Sequence, residues 1–137
     1  RVLFSRKPVQ SLADLKDMKM RVPEIKTYLA LWETLGTRPS RLAWAEVALG
    51  LRTGVVEAAE GPIASAYAAK MHEAAKYVTR TDHILSTSHI TINDKFFSAL
   101  APDLQKIVAD AAREAVADTR RQAGAEVDDI VAKIQDL

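Results

Sequence analysis

A chain of 137 residues with 48% hydrophobic content can bury one core, and its net charge of +1 excludes the dense cationic face that a nucleic-acid backbone demands. It has no cysteine, which excludes disulfides, zinc thiolates and thiol nucleophiles, and it has no apolar run near the roughly 20 residues that cross a bilayer. The charge is unevenly spread: residues 1–86 hold 13 Lys and Arg against 9 Asp and Glu, a balance of +4, while residues 87–137 hold 6 against 9, a balance of −3. The basic half suits a small anion.

Residues 1–4 read as a strand that opens without an initiator methionine, as in a piece of a longer precursor. Ser11-Leu12-Ala13-Asp14 is a helix start, with Ser11 as N-cap and Asp14 three residues on. Lys19-Met20-Arg21-Val22 alternates charged and apolar residues and is closed by Pro23, the pattern of a short half-buried strand. Ile25, Tyr28, Leu29, Trp32 and Leu35 recur at helical spacing, so residues 24–35 form an amphipathic helix capped by Gly36. Pro39 punctuates a short extended piece. Trp44, Val47, Ala48 and Leu51 then mark a helix over residues 44–53, stopped at Gly54. Residues 55–60 begin with two valines and read as a strand closed by Gly61-Pro62, and residues 63–70 are helix-compatible.

Tyr77-Val78-Thr79 is another short strand, and residues 86–92 are the longest β-prone stretch of the second half. Asn93 caps a short helix over residues 94–100. From Pro102 the positions Leu104, Ile107, Val108, Ala111, Ala112, Ala115 and Val116 hold a helical period, which Val127, Ile130, Val131 and Ile134 resume beyond Gly124. Strands alternate with helices, which places the chain in the α/β class.

Arg21 is the side chain best placed for chemistry. Pro23 has no N–H for a ladder, so Arg21 sits at the last pleat of its strand, and ligands of open α/β sheets collect beyond such strand ends. A guanidinium there offers a planar fork of donors that fits a carboxylate in bidentate fashion and keeps its charge. The raw material for an enzyme is thin. His72, His83 and His89 lack the spacing of a metal-binding helix, no glycine cluster cradles a phosphate, and Asp128-Asp129 point to different helix faces. No cofactor is expected.

Several segments together form a longer pattern: Ala13-Asp14-Leu15-Lys16, residues 19–23, Leu35-Gly36 with Pro39, Ala43-Trp44-Ala45-Glu46-Val47, residues 51–57, Glu60 with Pro62, Lys76-Tyr77-Val78 with Thr81 and His83, and residues 100–107. In this order and spacing they cover the whole chain, which resembles the C-terminal half of the DctP-type solute-binding proteins of TRAP transporters, the tripartite ATP-independent periplasmic importers. The resemblance implies a periplasmic-binding-protein-like lobe, a mixed sheet flanked by helices, with a long C-terminal helical region and most of the first lobe lying before Arg1. Residues 1–86 would form the second ligand-binding lobe, residues 87–126 would contribute a strand and helices to the first, and residues 127–137 would return as a helix to the second.

The implied function is capture of an organic acid in the periplasm and its delivery to TRAP membrane permease subunits, without catalysis. Arg21 falls on the family arginine that holds the ligand carboxylate, Arg1 on a second arginine that assists it, and Trp44 on an aromatic position that packs against the ligand. Gly61 lies where many members have a polar side chain, which implies a roomier pocket. Glu60 keeps an acidic position. The competing expectation is a truncated, self-associating module, with apolar faces of residues 87–126 paired across a homodimer.

Overall fold

The computed structural model describes residues 1–135 and divides into two compact units, one of residues 1–85 and a second that begins at Ser86. The first unit is built on five strands: β1 (Val2–Ser5), β2 (Lys19–Val22), β3 (Arg38–Arg41), β4 (Ala58–Gly61) and β5 (Tyr77–Thr79). They form one sheet in the order β3-β2-β4-β1-β5. β2 runs parallel to β3 and β4, whereas β1 is antiparallel to β4 and β5. The mixed α/β lobe expected from the sequence is present.

Four helices belong to this unit: α1 (Lys26–Thr34), α2 (Val47–Thr53), α3 (Ile63–Ala68) and α4 (Met71–Ala74), with 3-10 turns at Leu12–Leu15 and Trp44–Glu46. Gly36 (φ +85°) and Gly54 (φ +78°) leave α1 and α2 in the left-handed region that glycine adopts without steric cost, which is why both helices stop there. Asp14 accepts from the N–H groups of Gln10 and Ser11, at 2.9 and 2.8 Å, and from the Ser11 hydroxyl. That contact ties down the first turn of the 3-10 segment.

Register decides which side chains share a face, because successive residues of a strand point to opposite sides. Met20 lies opposite Ala58, and Leu3 opposite Glu60. Leu3, Met20, Val22 and Ala58 accordingly pack together with Leu15, Met18 and the Trp32 of α1, all buried. Arg21, Ala59 and Gly61 occupy the opposite face. The same register aligns Gly61 with Val2, Val22 with Arg41 and Thr79 with Leu3. The carboxyl ends of β2, β3, β4 and β5 and the start of β1 therefore meet along one edge.

Two boundaries differ from expectation. The strand expected from Val55 begins only at Ala58, because Val56 N–H is taken by Gly50 O at 3.2 Å in closing the turn after α2. Residues 86–92, the expected strand of the second half, form no strand: no neighbour offers their backbone a ladder, and β-prone side chains alone do not hold one.

The second unit contains α5 (Asp94–Ser98), capped by Asn93 Oδ1 accepting from Phe96 N–H at 3.0 Å, and α6 (Pro102–Gln135). α6 has 34 residues and passes Gly124 without a break, a length of about 51 Å at the usual helical rise. Residues 127–135 are its last turns, continuing the helical period beyond Gly124, and residues 136 and 137 lie outside the described residues. Among the described residues no helix is long and apolar enough to cross a membrane.

Candidate functional site

Arg21 is 4% exposed although it carries a full charge. Its Nε donates to Leu42 O at 2.9 Å, and its guanidinium carbon lies 5.4 Å from the centre of the Trp44 ring. Burial pushes its pKa down, Glu60 pushes it up and Arg1 down again. A guanidinium starts so high that it stays protonated at neutral pH. The two terminal nitrogens have no partner among the described residues. A buried cation anchored at one nitrogen, with both terminal NH2 groups unused, has the donor geometry to accept an anion. It opens into a cavity of about 260 Å³ lined also by Pro23, Glu24, Arg41, Leu42 and Ala43.

Trp44 begins the turn that leads into α2 and lies 37% exposed. The edge of its six-membered ring rests on Gly61, where a Cβ would meet Cη2 at 3.0 Å and Cζ3 at 3.3 Å. The space freed by glycine is thus filled by the indole, which corrects the roomier pocket expected there. Arg21, Trp44 and Gly61 form one cluster.

Arg1, Glu60 and His83 form another. Glu60 is fully buried and receives Arg1 Nε at 2.6 Å and Arg1 Nη2 at 3.2 Å, a bidentate pair. Arg1 also lies 5.3 Å from the centre of the Tyr28 ring. Glu60 and Leu3 are opposed in the sheet, so this pair lies on the Trp32 side, across the sheet from the Arg21 side chain. Both clusters nevertheless sit at the same edge.

His83 follows β5 into this corner, with Nε2 3.4 Å from Glu60 and its ring edge-on to Trp32 at 5.2 Å. Its Nδ1 is 2.7 Å from Thr81 Oγ1. A lone pair on Nε2 would face a carboxylate, so the consistent tautomer carries the proton on Nε2 while Thr81 donates to Nδ1. Burial pushes the imidazole below its usual value of 6.5, and Glu60 opposes that only in part.

The unfolded chain therefore takes up this proton at a higher pH than the folded chain does. Stability contributed by neutral His83 is complete above pH 6.5 and is lost as pH falls from there through the lowered value. The melting temperature should decline across that window, and His83→Gln should flatten the decline. An unchanged slope in the variant would assign it to another group.

Of the other two histidines, His72 stacks on Tyr67 at 4.5 Å, and His89 belongs to the second unit. There it lines an open depression of about 450 Å³ with Ile90 and, on α6, Arg113, Val116 and Arg120. Sequence reasoning missed Glu24 and Arg41, which are paired at 3.4 Å beside Arg21. The signal available was position, since Glu24 directly follows the Pro23 strand stop; the alignment of Arg41 with Val22 is a matter of register.

The profile of the family described as bacterial extracellular solute-binding protein, family 7 (DctP), matches residues 1–137. A solute-binding protein of Roseobacter denitrificans is 37% identical over 115 residues, which are 84% of this chain and 35% of that protein. The 2,3-diketo-L-gulonate-binding periplasmic protein YiaO of Escherichia coli is 35% identical over 114 residues, 83% of this chain and 35% of YiaO. A solved TRAP periplasmic solute-binding protein from Roseobacter denitrificans with bound β-D-glucuronate matches at a TM-score of 0.90 and 29% identity, covering 98% of this chain and 44% of that one. The chain spans 35% of the length of these two curated relatives.

Proposed function

The chain belongs to the DctP family, family 7 of the bacterial extracellular solute-binding proteins, and from that premise we propose that it is part of a periplasmic protein that captures an organic acid for a TRAP transporter. Arg21 grips the ligand carboxylate, and the loaded protein delivers it to membrane permease subunits. The observation that carries this reading is the state of Arg21: buried, fixed by Leu42 O, and left with both terminal nitrogens free. Charge balance supports it. Glu60 answers Arg1, so Arg21 keeps one uncompensated positive charge at the strand edge, matched by a single carboxylate. Each hydrogen bond to that charged group contributes about 1.5–3 kcal/mol.

Trp44 supplies an apolar wall beside the bound anion. Arg1 and Glu60, a mutually neutral pair, hold the far side of the edge in place. The named ligands of two relatives, 2,3-diketo-L-gulonate and β-D-glucuronate, are sugar acids, and that class is proposed for this chain as well. Residues 87–126 are proposed to serve the first lobe of a two-lobed trap. Their exposed Ile90 and Ile107, with a β-prone stretch that has no ladder partner, support that assignment. A self-associating module would leave the free fork of Arg21 without a use.

The test is a calorimetric titration of the full protein that includes this chain with D-glucuronate and with D-glucuronamide, its uncharged amide. The acid should bind and the amide should bind at least about a hundredfold more weakly, the loss expected when a buried charge is left unpaired. Equal affinities overturn the salt-bridge reading.

A further inference from the structure

We propose that Gly61 is a specificity-determining position that acts through Trp44: its bare backbone is the seat that holds the indole over Arg21. Gly61 closes β4, all of whose residues are buried, and faces the same side of the sheet as Arg21. A Cβ there would stand 3.0 Å from Trp44 Cη2, tighter than nearly all real contacts, so the ring must give by a few tenths of an ångström, and a larger side chain displaces it further. The same ring lies 5.4 Å from the Arg21 guanidinium. Moving it off Gly61 therefore changes its placement against Arg21.

With the ring seated and 37% exposed, the indole presents a flat apolar surface beside Arg21, and Gly61 itself offers no side-chain hydrogen-bonding group. That selects acids that lay C–H groups, such as the face of a sugar ring, along the indole, and it disfavours acids needing a polar partner at that point. Gly61 is thus a positioning residue, and the wall it positions is Trp44. The inference rests on Arg21 holding the carboxylate.

The experiment is a double-mutant cycle in the full protein, with Gly61→Asn and Trp44→Ala, alone and together. D-Glucuronate affinity is read by calorimetry, and Trp44 emission with acrylamide quenching is read by difference from the Trp44→Ala variants. Gly61→Asn should lower affinity about tenfold when Trp44 is present and less than about twofold when it is absent. Emission should shift to the red and quenching should rise without ligand. Gly61→Ala, a smaller intrusion, gives the same cycle if the asparagine variant does not fold. Equal losses in both backgrounds, or unchanged emission and quenching, overturn the seat. A shifted emission in a protein that binds no acid at all overturns the Arg21 reading instead, because the optical arm needs no ligand.

Discussion

Arg21→Ala should lower the affinity of the full protein for a carboxylate ligand by at least about a hundredfold, the largest single effect expected anywhere in the chain. Arg21 is already desolvated in the absence of ligand, so the cost of burying the cation has been met by the fold, and binding has only to supply the anion. Truncation removes both free donors at once. Arg21→Lys keeps the charge but replaces a planar fork with a single rotating ammonium, and it cannot donate to Leu42 O and span two carboxylate oxygens together. Its affinity should fall between wild type and the alanine variant. Calorimetry on the three proteins reads the order, and an alanine variant that binds as tightly as wild type would refute the assignment of Arg21.

Glu60→Ala should cost stability more than any other change at the strand edge, about 2–4 kcal/mol. Glu60 is fully buried, and Arg1, only 15% exposed at its side chain, would be left as a charge without its carboxylate. At this chain length that is a fall in melting temperature on the order of 10 °C. The paired change Arg1→Met with Glu60→Leu should recover much of the loss, since an apolar pair of similar bulk needs no compensation for buried charge. Thermal and urea unfolding compare wild type, Glu60→Ala, Arg1→Met, Glu60→Leu and the double variant. A double variant as unstable as the sum of the singles would show that the two residues do not act as a pair.

These two residues mark how far the sequence can be read. The last pleat of β2 is visible in Lys19-Met20-Arg21-Val22-Pro23, because alternation and a proline are local signals, and Arg21 lies where they place it. The stops at Gly36 and Gly54 are equally local. Partnership is not. That Glu60 faces Arg1 follows from the pairing of β1 with β4, 59 residues apart in the case of Arg1 and Glu60, and nothing within either segment encodes the register. The filled space at Gly61 depends on a tryptophan from another turn reaching it. Residues 86–92 show the converse. Their β propensity is legible, but a strand exists only where another chain segment pairs with it.

The position of β1 between β4 and β5 also orders the assembly of the lobe in time. Leu3 pairs with Glu60 on one side and Thr79 on the other, so the first of these five strands to be synthesised meets neither of its two sheet partners until most of the unit has followed it. β2 can meet β3 across a single short helix well before that. Val2, Leu3 and Phe4, all buried in the sheet, form an apolar strand whose two ladder partners within this unit are both made later. Of the five strands the earliest made is thus the one whose two pairings span the longest stretch of sequence.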